Sequence, residues 1–206
     1  MYNTLTYTDI ANMAIDWCGG PLSISDINDK NNPDAIVCAR NLPQAIRSEF
    51  EKYEWAIAQR IAVAIEEQNP KYAIDGYFCY VLPDDFLRLS LYLLEQYIPP
   101  AARSEYVLGH SFMIRQNKLY TKFPIKKFPY ITHEVDISEW PALFADCVAL
   151  NLAERICGKI KGLDADISFY ENLYKVKLKD ARRLELIQTE ASQGGMSVLQ
   201  YNRIVP

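Results

Sequence analysis

The chain opens with apolar residues at helical spacing. Ile10, Met13, Ala14 and Trp17 recur every three or four positions, with Thr8 or Asp9 placed to cap the segment and Gly19-Gly20-Pro21 to end it. This pattern predicts a short helix over 6–17. The stretch SISDINDKNNPD that follows is turn chemistry, and it lacks the glycine and closing glutamate of a calcium loop. After Pro33-Asp34, the positions Ile36, Ala39, Pro43, Ile46, Phe50 and Tyr53 predict a helix that packs this stripe on a neighbour. Pro43 removes one ladder bond inside it, so a kink or a division near Asn41 is expected. Trp55, Ile57, Ala58, Ile61, Ala62 and Ala64 carry the apolar run on towards Asn69-Pro70.

The period changes between Tyr77 and Val135. Short runs such as YFCYVL, LRLSLYLL and KLYTKF alternate between prolines and polar turns, and Leu87, Leu89, Leu91 and Phe112, Ile114 show a period of two. These features predict a small sheet with irregular loops, of which 99–107 is one. Ser138, Glu139 and Pro141 then signal a helix start. Phe144, Cys147, Val148, Leu152, Ile156 and Ile160 mark one side of a long helix, and Tyr170, Leu173, Tyr174, Leu178, Ala181 and Leu184 mark a second, the two forming a helical hairpin. Beyond Gly194-Gly195, the residues Val198, Leu199, Tyr201 and Ile204 have no helical period, so the tail is either frayed or held by a partner.

The expected fold class is therefore α+β. A helical bundle formed by 1–76 and 138–190 would carry an inserted small β-rich lobe at 77–137, with an extended C-terminal arm at 191–206.

Charge and cysteines narrow the function classes. A net charge of -4 spread along 206 residues carries no footprint of a phosphate-neutralising protein, which argues against specific DNA binding. Five widely spaced cysteines without a C-x-x-C pair read as buried, reduced thiols. The N-terminus lacks a basic segment followed by an apolar block, and no run is long enough to span a bilayer, so a soluble protein made in a cytoplasm is expected.

Candidate chemistry is sparse. His110 and His133 are the two histidines, and neither adjoins a candidate nucleophile or a zinc-ligand spacing. No phosphate-binding glycine pattern occurs. Lys122, Lys126 and Lys127 interleave with Phe123, Phe128 and Tyr130, a pattern that suits single-stranded nucleic acid but suits an edge strand guarded by lysines better. A pair of distant carboxylates for glycoside cleavage is neither indicated nor excluded by the sequence. YVLPDDFLRL at 80–89 is the most motif-like stretch. Adjacent Asp84 and Asp85 point to opposite faces of an extended chain and suit no proton-sharing dyad. Pro83 can set a turn that Asp85 caps, with Arg88 as the expected partner of Asp85.

Three segments in order, ARNLPQAIRSEFEKYEWAIAQRIAVA, YFCYVLPDDFLRL, and the pair EWPALFADCVALNLAERICGKI and SFYENLYKVKLKDARRLE, resemble the tail tubular protein A family, the head-to-tail adaptors of short-tailed phages. The resemblance rests on Trp55, Ala56, Ala58 and Arg60, on Leu82, Pro83, Asp85 and Arg88, and on Tyr170 with Ala181-Arg182. Pro43 and the 97–110 segment depart from the family pattern. The resemblance implies a virion protein of the tail or neck, forming a ring of about twelve copies between the portal protein and the tail nozzle protein. Double-stranded DNA would pass through the ring without specific binding, and no cofactor, metal or catalytic residue is implied. The loose tail would then be a portal-binding arm carrying Val198, Leu199, Tyr201 and Ile204. Two alternatives are an adaptor that also hydrolyses peptidoglycan and a head-completion stopper of a long-tailed phage.

Overall fold

The computed structural model describes residues 4–20, 23–68, 70–100, 111–160 and 167–193. In chain order the elements are α1 (Tyr7–Trp17), α2 (Pro33–Lys52), a 3-10 turn (Ala56–Ala58), β1 (Gln59–Val63), β2 (Phe78–Val81) and β3 (Phe86–Leu89). After these come α3 (Leu91–Leu94), which continues into a 3-10 turn (Glu95–Tyr97), then β4 (Phe112–Arg115), β5 (Lys118–Thr121), β6 (Lys127–Thr132), a 3-10 turn (Ile137–Glu139), α4 (Ala142–Ile160) and α5 (Ile167–Gln193). The fold is α+β. Two compact units divide the chain, residues 1–49 with 136–206 and residues 50–135.

In the helical unit, α4 is the central element. Its sequence is apolar nearly all round, and Phe144, Ala145, Cys147 to Ala153, Ile156 and Cys157 are buried, as expected of a helix packed on more than one side. Both α1 and α5 pack on it. Lys177 meets Asp146, whereas Tyr174 joins a network with Asn151, so α5 runs antiparallel to α4. The cap of α1 is Thr6 rather than Thr8 or Asp9: its hydroxyl accepts from the Asp9 N–H while the Asp9 carboxylate accepts from the Thr6 N–H, a reciprocal capping box. Thr8 is used otherwise, accepting from the Ile27 N–H. Gly19, at φ +70°, ends the helix as expected.

The phase of α2 differs from expectation. The buried line is Ala35, Cys38, Leu42, Ala45 and Glu49, and Ile36, Ala39 and Pro43 face outward. Both stripes have helical spacing, and the buried one is made of small residues and one acid, which carry little weight in an apolar pattern. Pro43 does not divide the helix. It sits on the exposed side with Ala39, whose freed carbonyl can be solvated. At the other entry, Asp136, not Ser138, accepts from the Ser138 N–H and caps the short 3-10 turn before α4.

The second unit begins at Phe50, earlier than the expected 77, because the apolar run after Trp55 turns into strand β1. Ile61, Val63 and Ile65 are β-branched at a period of two, a β pattern hidden among alanines. Two antiparallel sheets form here, ordered β1-β6-β3 and β2-β5-β4. The chain leaving β1 passes from one to the other: Ala64 still donates to Lys126, but Ile65 accepts from Val81 and Glu67 donates to Cys79 on the β2 side. Tyr80, Leu82, Leu89, Leu94, Phe112, Leu119, Phe128 and Tyr130 form one shared core. Beyond Leu89 the predicted alternation gives way to the helical turn α3. β4 and β5 are joined by Gln116-Asn117, both at positive φ (50° and 59°), the turn type that matches strand twist.

Candidate functional site

The Pro83 to Phe86 segment carries the chain from β2 in one sheet to β3 in the other. Phe86 donates to the Pro83 carbonyl at 3.1 Å, closing a turn with Asp84 and Asp85 at its centre. Proline fixes φ on the way in, and aspartates are suited to turn positions. Asp85 then acts in two ways. Its carboxylate accepts from the Tyr130 hydroxyl at 3.0 and 3.1 Å, and its carbonyl accepts from the His133 N–H at 3.2 Å. Both contacts fasten the turn to β6 and the residue just after it.

Arg88 is not the partner of Asp85. Its guanidinium donates to Glu54 at 3.0 Å and to the Leu89 carbonyl at 3.3 Å. Asp85 lies in the turn and Arg88 on β3 beyond the register shift between Phe86 and Arg88, and the two side chains find different partners. Glu54 is a convergence point missed in the sequence. Besides Arg88 it accepts from the Ser90 hydroxyl at 2.6 Å and the Leu91 N–H at 2.8 Å, holding the exit of β3 and the start of α3. No local signal marks Glu54, because its partners lie 34 to 37 residues away.

A second polar centre lies in the helical unit. Glu49, fully buried, accepts from Asn151 Nδ2 at 2.6 Å and from the Tyr174 hydroxyl at 2.9 Å, and Asn151 Oδ1 accepts from Arg155 Nε at 2.7 Å. A buried carboxylate is tolerable only when its oxygens are satisfied in this way. The signal for it was available: Glu49 continues the Ala35, Cys38, Leu42, Ala45 line at helical spacing.

At both centres the phenols, and in the helical unit the Cys147 thiol beside them, are pushed towards holding their protons. Burial, then the hydrogen bond and charge of Asp85, push Tyr130 up to about 12. Burial followed by the charge and hydrogen bond of Glu49 raises Tyr174 well above the ordinary phenol range. Burial, then the charges of Glu49 and Asp146, push the Cys147 thiol up to about 12. Groups shifted in this direction keep their protons near neutral pH, and Tyr130 and Tyr174 serve here as hydrogen-bond donors to Asp85 and Glu49. All five cysteines are buried thiols outside any disulfide. Among the described residues no cluster of three or more His, Cys, Asp or Glu side chains is arranged to hold a metal ion.

No protein-family model and no curated protein sequence matches the chain. The site is therefore read from its own geometry. Lys126, Lys127, Phe128 and Tyr130 do not make a base-stacking strip: Phe128 and Tyr130 are core residues, and β6 is the central strand of its sheet rather than an edge. Val198, Leu199, Tyr201 and Ile204 lie outside the described residues. No helix among the described residues is long and apolar enough to cross a membrane.

The outer surfaces differ from these latched interiors. In the β unit, Ile61, Val63 and Ile65 stand exposed along one line, with Val81 beside Ile65. In the helical unit, Phe169, Val176 and Leu184 are exposed on α5. Large apolar side chains thus stand on the outside of both units.

Proposed function

We propose that this chain is a structural head-to-tail adaptor of a short-tailed phage virion, assembling as a ring between the portal protein and the tail nozzle protein. The observation that carries this reading is the contrast between polar and apolar placement. The acid and the base of the Leu82-Pro83-Asp85-Arg88 element are both engaged within their own unit, on Tyr130 and Glu54, while large apolar side chains stand on outer faces. A protein whose polar motif fastens a turn and whose exposed rows await cover is organised for assembly. The antiparallel α4 and α5 offer a long flank for side-by-side packing, and heterologous packing of that kind closes into a ring when its rotation is a whole fraction of a turn. The acidic chain, repeated around a channel, would not grip the passing duplex.

Electron microscopy of phage particles with a gold-labelled antibody against the chain tests this reading. Label between the capsid vertex and a short tail is the expected result. Label absent from particles, or found along a long tail, sinks it. A companion experiment removes residues 194–206 and measures attachment to portal-bearing heads, which the deletion is expected to abolish.

A further inference from the structure

The outward face of α5 is specific in its chemistry. Among its described side chains Tyr170 and Ala181 are the buried ones, and the opposite line holds Phe169, Val176, Lys179, Asp180 and Arg183, with Lys175 and Leu184 at its margins. Phe169 is 53% exposed, Val176 58% and Leu184 49%, large values for such side chains. Residues 175–183 carry five bases against one acid. Lys177 turns inward to Asp146, but Lys175, Lys179 and Arg183 are exposed and form no ion pair among the described residues. This face therefore seeks a partner that is both apolar and acidic.

The same unit has such a surface at its other end in sequence. Residues 1–34 hold five aspartates, Asp9, Asp16, Asp26, Asp29 and Asp34, against Lys30 alone. They sit on an ordered surface, because the loop after α1 is clamped to it. Asn12 donates to the Ile24 carbonyl at 3.0 Å and accepts from the Ile24 N–H at 2.7 Å, and Thr8 accepts from the Ile27 N–H. Tyr7 and Ile36 add exposed apolar area to the acids.

We infer that the basic, apolar face of α5 docks on the acidic surface formed by α1 and the 23–34 loop of a second copy of this chain. The inference rests on the ring reading and adds the two faces that meet. Because they are different patches, the contact is heterologous and repeats from copy to copy, as a ring requires. Charge complementarity sets the register of such a contact, and like charges in its place oppose it. Duplex DNA matches the bases but leaves Phe169, Val176 and Leu184 without cover, so a protein surface accounts for more of the face.

The test is a charge swap in the full-length chain. One variant carries K175E, K179E and R183E; the other carries D16K and D34K. Sedimentation velocity at low salt should show the wild-type chain associating, and each variant alone associating on the order of 100-fold more weakly. An equimolar mixture of the two variants should regain association, since acidic α5 faces then meet basic N-terminal surfaces, and this recovery also shows that both variants are folded. Association of the first variant at wild-type strength, or no recovery on mixing, overturns the assignment. So does a first variant that loses binding to a duplex DNA probe while associating normally. A wild-type chain that stays monomeric at low salt overturns the interface but leaves the adaptor reading to the labelling experiment.

Discussion

Among the described residues of the helical unit, the polar side chain of Glu49 is wholly buried and held by Asn151 and Tyr174. In the β unit the working carboxylates, Glu54 and Asp85, lie closer to solvent, at the margins of a core built from Phe128, Leu119 and Tyr80. The difference follows from how each architecture satisfies its backbone. Helices close their own hydrogen bonds, so a carboxylate from α2 can reach donors on α4 and α5 without disturbing a ladder. In two three-stranded sheets the strand interiors are already paired, and carboxylates find unused N–H groups only where strands end, as Glu54 does at Leu91. One unit uses an acid to fix how helices register, and the other uses acids to fasten turns.

The largest expected effect tests the β core alone. Phe128→Ala should cost about 3–5 kcal/mol. Hydrogen exchange should show the loss confined to residues 50–135, and an equal loss in α4 would mean the two units unfold as one. Glu49→Ala should cost about 3 kcal/mol through the orphaned Asn151 and Tyr174 donors, with exchange rising in α4 and α5. If the variant melts like the wild type, the network is ornamental. Glu54→Ala should remove about 2 kcal/mol, and urea titration of the β unit gives the number.

Asp85→Asn should cost only about 1 kcal/mol and leave a pH signature. Tyr130 is held at about 12 when folded, above the ordinary value of 10.0. The native state therefore keeps a proton that the unfolded chain gives up, so this contribution is whole below pH 10 and is lost as pH rises towards 12. Replacing the Asp85 charge should move the Tyr130 titration, followed by absorbance of the phenolate, back towards 10; an unmoved titration would leave burial as the sole cause. The smallest effect is expected at the surface, where Val63→Ser should alter stability by less than about 0.5 kcal/mol. A larger loss would show that the exposed β1 row is covered.

Helices α1, α4 and α5 and the α+β class were legible because long apolar stripes dominate those segments. The buried face of α2 was not, since alanine, cysteine and a glutamate make a faint stripe beside the brighter Ile36, Ala39 and Pro43. β1 was hidden in a run that reads equally as helix. The turn at Pro83 was legible from proline and aspartate chemistry, which is local. The Arg88 partner was not, because Glu54 precedes it by 34 residues and a register shift in β3 lies between Arg88 and the turn that holds Asp85. Pairing across such distances is decided by the sheet and leaves no trace in spacing.

The five buried thiols give the molecule an internal clock. A thiol inside a packed core reacts with an alkylating reagent only when its surroundings open, so the rate of labelling reports the opening. Cys79 is the sole cysteine of residues 50–135, and the other four belong to the helical unit. Mass spectrometry of a pulse-labelled sample would thus read the two openings separately, in the wild-type chain and without an introduced probe.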